Sequence, residues 1–383
     1  MTNILIIINS LQFGGWAEKV ATMVGDQFSQ EEWYTVRYLT FYDAQKKYPY
    51  KGEEICLNET ISSNVFIRIF KLFHRAYTIA RICKRYHIDY AFSHLEEANF
   101  SNVMSKMVFR NTSKIYIQIH GSVNMWGNAY KFFIKKFYKR ADRVITLVHE
   151  EQENLTKNYD ILTSRITTIN NPINIGNIQE SKKERIWEHE YLFAEWKFNF
   201  INIWRLVYEK NQSLLIEAFK EFHKKYPQTQ LIIAWEWALR ESLKSQIAGY
   251  SHCIYLIGNQ KNPYKFLANA DCFVFSSNSE WFWIVLIEAM ACGLPIISRD
   301  CKTWPKEILR KESHDFVPVT EVSMEEYGIL VPIKPDISFL YSAMEKIYCD
   351  KELREQYAKK SEERAQDFDV SIIMEQWKQV ISH

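Results

Sequence analysis

The stretch Ser276–Ser298, SSNSEWFWIVLIEAMACGLPIIS, decides the fold of this chain. It continues the apolar run Cys272–Ser276, opens into a polar loop, takes helical spacing over Val285–Ala291, stops at Gly293 and resumes as the apolar Pro295–Ser298. A strand that enters a helix and returns to another apolar strand is a crossover unit, and crossovers build parallel sheets. Two carboxylates are fixed within it. Glu280 lies in the loop before the helix, and Glu288, eight residues further on, lies within it.

The alternation extends in both directions. Upstream, strands are expected at Phe198–Ile203, Gln230–Ala234 and Cys253–Ile257, with helices at Gln212–Tyr226 and Leu239–Ala248. The first half repeats the arrangement with apolar runs at Ile4–Ile8, Thr35–Phe41, Tyr90–Ser93, Lys114–Ile119, Arg143–Leu147 and Ile166–Ile169. Helical spacing separates these runs at Glu18–Phe28 and Val65–Tyr86. The pattern predicts two α/β domains, each a doubly wound parallel sheet. The charged, strand-poor stretch Asn174–Lys197 marks the join, so the domains are expected at 1–178 and 179–369, and a last helix follows the break at Phe368-Asp369.

Composition agrees. A length of 383 residues suits two domains of ordinary size. A hydrophobic share of 47% with 25% charged residues is that of a soluble globular protein. No apolar run approaches the ~20 residues of a membrane span. The opening MTNILIIINSLQFGG reads as a buried first strand rather than a leader, which points to the cytoplasm. Seven scattered cysteines without a CxxC pair read as reduced thiols. The net charge of +2 is uneven: residues 1–180 carry 22 Lys and Arg against 17 Asp and Glu, and the remainder 26 against 29. A chain this close to neutral is not a nucleic-acid binder.

The residues that carry chemistry follow strands. Arg205 and Lys210 in NIWRLVYEKN leave the opening strand of the second half and suit phosphate oxygens, which cations and helix-start N–H groups bind best. Glu288 is placed to accept hydrogen bonds from a pair of hydroxyls. His120, in His120-Gly121-Ser122, follows a strand of the first half, and Gly15 and Glu18 in GGWAEKV open its first helix. No Ser-His-Asp set or carboxylate pair asks for another mechanism, so neither metal nor cofactor is expected.

NIWRLVYEKN and SEWFWIVLIEAMACGLP together resemble the retaining GT-B glycosyltransferases of the glycogen-synthase and lipopolysaccharide-glucosyltransferase type, almost continuously over Ser276–Ser298. The resemblance implies two Rossmann-like domains facing a cleft, the first on the acceptor side and completed by the C-terminal helix at 370–383, the second binding a nucleotide sugar. It implies that Arg205 and Lys210 hold the donor diphosphate, that Glu288 binds the ribose, and that Glu280 and His120 stand at the reacting sugar as catalytic residues. It places Gly15, Glu18 and positions 204, 281 and 283 on donor-side loops. The implied reaction moves a sugar with retention from a nucleotide diphosphate, UDP before GDP, to a lipid-linked or surface-glycan acceptor. The same fold also serves nucleotide-sugar 2-epimerases and non-catalytic scaffolds; Glu-x7-Glu followed by AMACGLP argues against the epimerase. The basic aromatic segments RIFKLFHRAYTIARICKRYH and YKFFIKKFYKRADR are expected to form amphipathic helices whose cationic face meets an anionic membrane from the cytoplasmic side.

One departure recurs. Trp16, Trp204, Trp235, Trp237, Trp281, Trp283 and Trp304 stand where the family pattern has glycine, and the chain has 12 Trp against 11 Gly. Glycine serves there because it accepts positive φ and lets phosphate approach the backbone. One cause accounts for a single residue recurring at seven such places: UGA codons that mean glycine in some bacteria, translated as tryptophan; deliberate inactivation by substitution and an evolved inactive relative are the alternatives. Val148 and Arg299 also depart from the pattern.

Overall fold

The computed structural model of the chain describes residues 1–125, 127–236, 238–279, 284–302, 305–311 and 316–382. Two compact units emerge, Met1–Pro172 completed by the residues from Ile373 onward, and Ile173–Ile372.

Unit 1 contains β1 (Thr2–Ile8), α1 (Trp16–Phe28), β2 (Tyr34–Thr40), β3 (Glu53–Cys56), α2 (Val65–Arg85), β4 (Tyr90–His94), α3 (Glu96–Phe109), β5 (Lys114–Gln118), α4 (Asn128–Phe137), β6 (Arg143–Thr146), α5 (His149–Tyr159) and β7 (Ile166–Thr168). Its sheet runs β3-β2-β1-β4-β5-β6-β7, with every pair parallel. Strand β1 lies inside the sheet, with Ile4 between Val36 and Tyr90, and Ile6 between Tyr38 and Phe92. Ile4 to Ile8 are wholly buried, as a strand covered by helices on both faces must be, and this is why the run lacks polar alternation.

Unit 2 contains α6 (Ile175–Ser181), β8 (Phe198–Ile203), α7 (Gln212–Lys225), β9 (Thr229–Ala234), α8 (Arg240–Gln246), β10 (Ile254–Gly258), α9 (Tyr264–Leu267), β11 (Cys272–Phe275), α10 (Ile284–Ala291), β12 (Ile296–Arg299), α11 (Pro305–Leu309), β13 (Ser323–Glu325), β14 (Gly328–Val331), α12 (Ile337–Cys349) and α13 (Lys351–Gln366). The sheet order is β10-β9-β8-β11-β12-β14-β13, and only the β13–β14 edge pair is antiparallel. Every residue of α10 is buried, which fits a run that is apolar all round, and Gly293 at φ +83° ends the turn after it. The last helix, α14 (Val370–Ser382), closes unit 1: Trp377 is buried against Phe92, and Tyr116 Oη donates to Val380 O at 3.0 Å.

Three features differ from the sequence expectation. Strands β3, β13 and β14 are short, and EEIC and SME, at the sheet edges, lack the apolar run that marks a central strand. The unit boundary falls before α6 rather than within it, because Gln179 Nε2 donates to Ala291 O (2.9 Å) and Ser181 O accepts from Asn262 Nδ2 (2.7 Å). Finally, α2 does not turn a purely cationic face outward: Phe66, Ile69, Phe70, Phe73 and Tyr77 are exposed along it, while Arg75 is buried.

Candidate active site

Each sheet has one place where the strand order reverses. In unit 2 it lies between β8 and β11, neighbours that continue toward opposite edges. Their following helices cover opposite faces, so a crevice opens at the carboxyl ends of this strand pair, where open α/β sheets bind ligands.

Residues 204–211 leave β8 there, and 276–279 leave β11. Hydrogen bonds tie the two segments. Ser276 Oγ donates to Lys210 O (2.8 Å), Asn278 N donates to Glu209 O (2.8 Å), and Asn211 Nδ2 donates to Asn278 Oδ1 (3.1 Å). Lys210 is buried, with its ammonium 4.8 Å from the centre of the Trp204 ring. Arg205 is exposed, and its carbonyl accepts from Gln212 Nε2 at 3.1 Å. Glu288 is buried on α10 and accepts from Tyr264 Oη at 2.8 Å. Lys210, Arg205 and Glu288 therefore all belong to elements that follow β8 or β11. Glu280, Trp281 and Trp283 lie outside the described residues, as do Trp237 and Trp304.

Arg299 gains a physical account. It is buried at the end of β12, where its guanidinium donates to Ser276 O (3.3 Å), Lys334 O (3.1 Å), Ile333 O and the Asn278 side chain. The cation thus braces the segment that leads into Glu280. Burial holds its pKa below the usual arginine range.

Of the three described tryptophans at glycine positions, Trp235 carries φ +141°, a backbone state that suits glycine and strains any other residue. Trp204 has ordinary φ but is buried, and its indole Nε1 finds no hydrogen-bond partner among the described residues. Trp16 begins α1, with the Lys19 ammonium 4.6 Å from its ring centre.

The order of the unit 1 sheet reverses between β1 and β4. After β1, Gly14 takes φ +106° and Gly15 caps α1. The Glu18 carboxylate folds back so closely that a Cβ at Gly15 would sit 2.0 Å from its Oε2 and displace it. Burial pushes the Glu18 carboxyl upward, against the pull of its backbone hydrogen bond.

His94 ends β4, Leu95 and Glu96 follow it, and His120 comes after β5. His94 Nδ1 and His120 Nε2 share a hydrogen bond of 3.0 Å. Burial keeps both rings neutral, with His94 down to about 3, and the neighbouring imidazole lowers His120 further. His120 is therefore an interior group rather than a surface one. Leu95 takes φ +72°, a strained state for a branched apolar residue. Glu96 opens α3 with its carboxyl pushed up to about 7 by burial. Neither His120 Nδ1 nor Glu96 Oε1 has a hydrogen-bond partner among the described residues. Glu151 fixes the loop after β5 by accepting from Val123 N (3.2 Å) and Asn154 Nδ2 (3.0 Å), and burial raises it to about 7 as well. The sequence reading missed His94, Glu96 and Glu151; the available signal was the position of His94-Leu95-Glu96 directly after an apolar run.

Comparison with known proteins respects the same division. The family described as Glycosyltransferase Family 4 matches residues 34–177, and Glycosyl transferases group 1 matches residues 183–364. An uncharacterized glycosyltransferase of Methanocaldococcus jannaschii is 31% identical over 378 residues, covering 91% of this chain and 92% of its own. The Campylobacter jejuni N-acetylgalactosamine-N,N'-diacetylbacillosaminyl-diphospho-undecaprenol 4-alpha-N-acetylgalactosaminyltransferase is 26% identical over 317 residues, 80% of each chain. Among solved structures, Anabaena HepE in complex with UDP superimposes with a TM-score of 0.77 at 17% identity, covering 100% of both chains. The two parallel-sheet units are those of the GT-B fold. With a relative that is similar along nearly its whole length and family matches in both units, the chain belongs to the group 1 glycosyltransferases.

Proposed function

We propose that this glycosyltransferase moves a sugar, with retention, from a UDP-sugar to an acceptor carried on a lipid or a surface glycan. The observation that carries this reading is the set Lys210, Arg205 and Glu288 on elements leaving the strand-order reversal of unit 2. A buried ammonium and an exposed guanidinium on one loop suit a diphosphate, whose charge grows as the sugar departs. The Glu288 carboxylate suits a ribose diol. The UDP complex of HepE supports the nucleotide, and the diphospho-undecaprenol in the name of the Campylobacter relative supports the acceptor class. With no nucleophile called for, a departing phosphate oxygen takes the proton of the incoming hydroxyl. The neutral His94–His120 pair and Glu96 orient hydroxyls on the acceptor side.

Membrane contact is part of the proposal. No helix among the described residues is long and apolar enough to cross a membrane. The exposed Phe66, Ile69, Phe70 and Phe73 of α2 lie beside Arg68 and Lys71, and α4 adds Lys131, Lys135 and Lys136. Apolar rings flanked by cations suit the surface of an anionic bilayer.

Trp204 favours a second reading, a non-catalytic scaffold, because its ring lies against Lys210. We attribute this and the strain at Trp235 to glycine codons. UGG codons at most of the seven positions would sink that explanation. The decisive experiment restores glycine at all seven and screens nucleotide sugars for released UDP or GDP, with the anomeric configuration of the product read by NMR. Release that needs an acceptor and retains configuration supports the transferase; no donor affinity in the restored chain supports the scaffold.

A further inference from the structure

In unit 2, on elements that carry none of the proposed donor-binding residues, the end of α7 meets the turn before β10. His223 on α7, together with His252 and Cys253 ahead of β10, bring three ligand atoms within 4.8 Å of one another. His223 and Cys253 are buried and His252 is exposed, so the set has two anchored members and one at the solvent boundary.

The surroundings orient the ligands. The Thr229 hydroxyl donates to Tyr226 O (2.7 Å) and lies 3.3 Å from His223 Nδ1. Its proton being committed to the carbonyl, the hydroxyl oxygen accepts from Nδ1–H and leaves Nε2 as the lone-pair nitrogen. Fixing an imidazole tautomer from outside is how proteins aim a metal-binding histidine. The Cys253 thiol donates to Tyr250 O at 3.4 Å, and backbone bonds fix the residue itself. Cys253 N donates to Tyr250 O (3.0 Å), and Cys253 O accepts from Leu231 N (2.8 Å) on β9. The His252 ring is held edge-on to His223, with ring centres 5.5 Å apart and planes at 60°, and stacks on Tyr250 at 6.2 Å.

We propose that His223, His252 and Cys253 form a zinc site, with solvent as the fourth ligand. Two imidazoles and one thiolate suit a borderline-soft, tetrahedral ion, whereas Mg²⁺ and Ca²⁺ take oxygen ligands. Full coordination needs the donors to close by up to about 1 Å, since bonds of about 2.0–2.3 Å place tetrahedral ligands under 4 Å apart. The exposed His252 side chain has that freedom. Burial raises the free Cys253 thiol to about 11, so each zinc bound releases that thiol proton to solvent. Lys197 opposes the cation but favours the thiolate that replaces the thiol. Bound zinc would clip α7 to the β9–β10 edge, a structural role separate from sugar transfer.

Chelator-treated full chain titrated with zinc alone should take up one ion and melt at a higher temperature. Cobalt(II) in its place should give a thiolate-to-cobalt absorption band. His252→Ala removes an exposed ligand without disturbing the core and should weaken zinc at least tenfold; Cys253→Ser should abolish the cobalt band. Thr229→Val should weaken zinc while leaving all three ligands in place. Cys349→Ser, at an exposed thiol elsewhere, should change nothing. Uptake of no zinc, or zinc and cobalt signals that survive both His252→Ala and Cys253→Ser, overturns the proposal.

Discussion

Trp235 sits at φ +141° at the end of β9. A side chain held in such a backbone state costs on the order of 1–3 kcal/mol. Trp235→Gly should therefore raise the unfolding free energy of unit 2, read by denaturant titration, by an amount of that order, while Trp235→Ala, which shrinks the side chain but keeps a Cβ, should not. Lys210 and Arg205 make the complementary case. In the glycine-restored chain, Lys210→Ala should lower kcat/KM about 100-fold or more, as expected for a cation aimed at developing charge, and Arg205→Ala should remove donor binding in calorimetry. Glu151 yields a pH test. Its carboxyl sits at about 7 when folded, against 4.5 as an ordinary glutamate, so the folded chain binds the extra proton between those values. Stability linked to Glu151 is greatest at acid pH and falls as pH rises through about 7, by up to ~3 kcal/mol for a shift of this size. Glu151→Gln keeps an oxygen for Val123 N and Asn154 and should flatten that fall. Urea midpoints of the two proteins should coincide near pH 4.5 and separate at pH 8; parallel curves would remove Glu151 from the account.

At the scale of the element, α2 separates two sources of membrane affinity. Phe66 and Phe70 are among its most exposed side chains, at 83% and 71%, so burying them in lipid is an apolar contribution that salt does not screen. Phe66→Ser with Phe70→Ser should weaken binding to anionic vesicles at every ionic strength. Neutralising Lys135, Lys136, Lys139 and Arg140 should weaken it chiefly at low salt, by about 1 kcal/mol for each charge near the surface. Vesicle binding untouched by both sets would assign α2 and α4 to another partner. Sequence periodicity reveals that such a helix is two-faced but not how its residues divide between the faces: Ala76, Ile79 and Cys83 face the core, Arg75 is drawn inward by Glu59 and Glu97, and the phenylalanines remain outside. That assignment depends on neighbours from distant parts of the chain. The central strands were legible because burial on both faces writes an unbroken apolar run, as in Ile4–Ile8. The edges β3 and β13 were not, since strands open to water need no such run.

At the scale of the whole molecule, the sequence placed Lys210 and Glu288 correctly after β8 and β11, because a local motif carries its own strand along with the loop or helix next to it. It did not show that His94 pairs with His120 or that Arg299 braces Asn278, since these contacts arise from strand order. The same holds for α14, whose Trp377 is buried against Phe92 of β4. Trp377→Ala should cost unit 1 about 3–5 kcal/mol and leave the unfolding of unit 2 unchanged, so that hydrogen exchange rises across β1, β4 and β5 and not across β8, β9 and β11.

The return of α14 to unit 1 also sets the timing of synthesis. Chains ordinarily acquire their folded parts in the order in which the ribosome makes them. Here the residues that close unit 1 are translated only after all of unit 2. The first-made sheet must therefore persist with the Phe92 and Tyr116 side of its core uncovered while the second grows and closes. A chain truncated after Asp369, with α13 complete and α14 missing, should hold a protease-resistant second half and a still-digestible first half, the reverse of the order in which they left the ribosome.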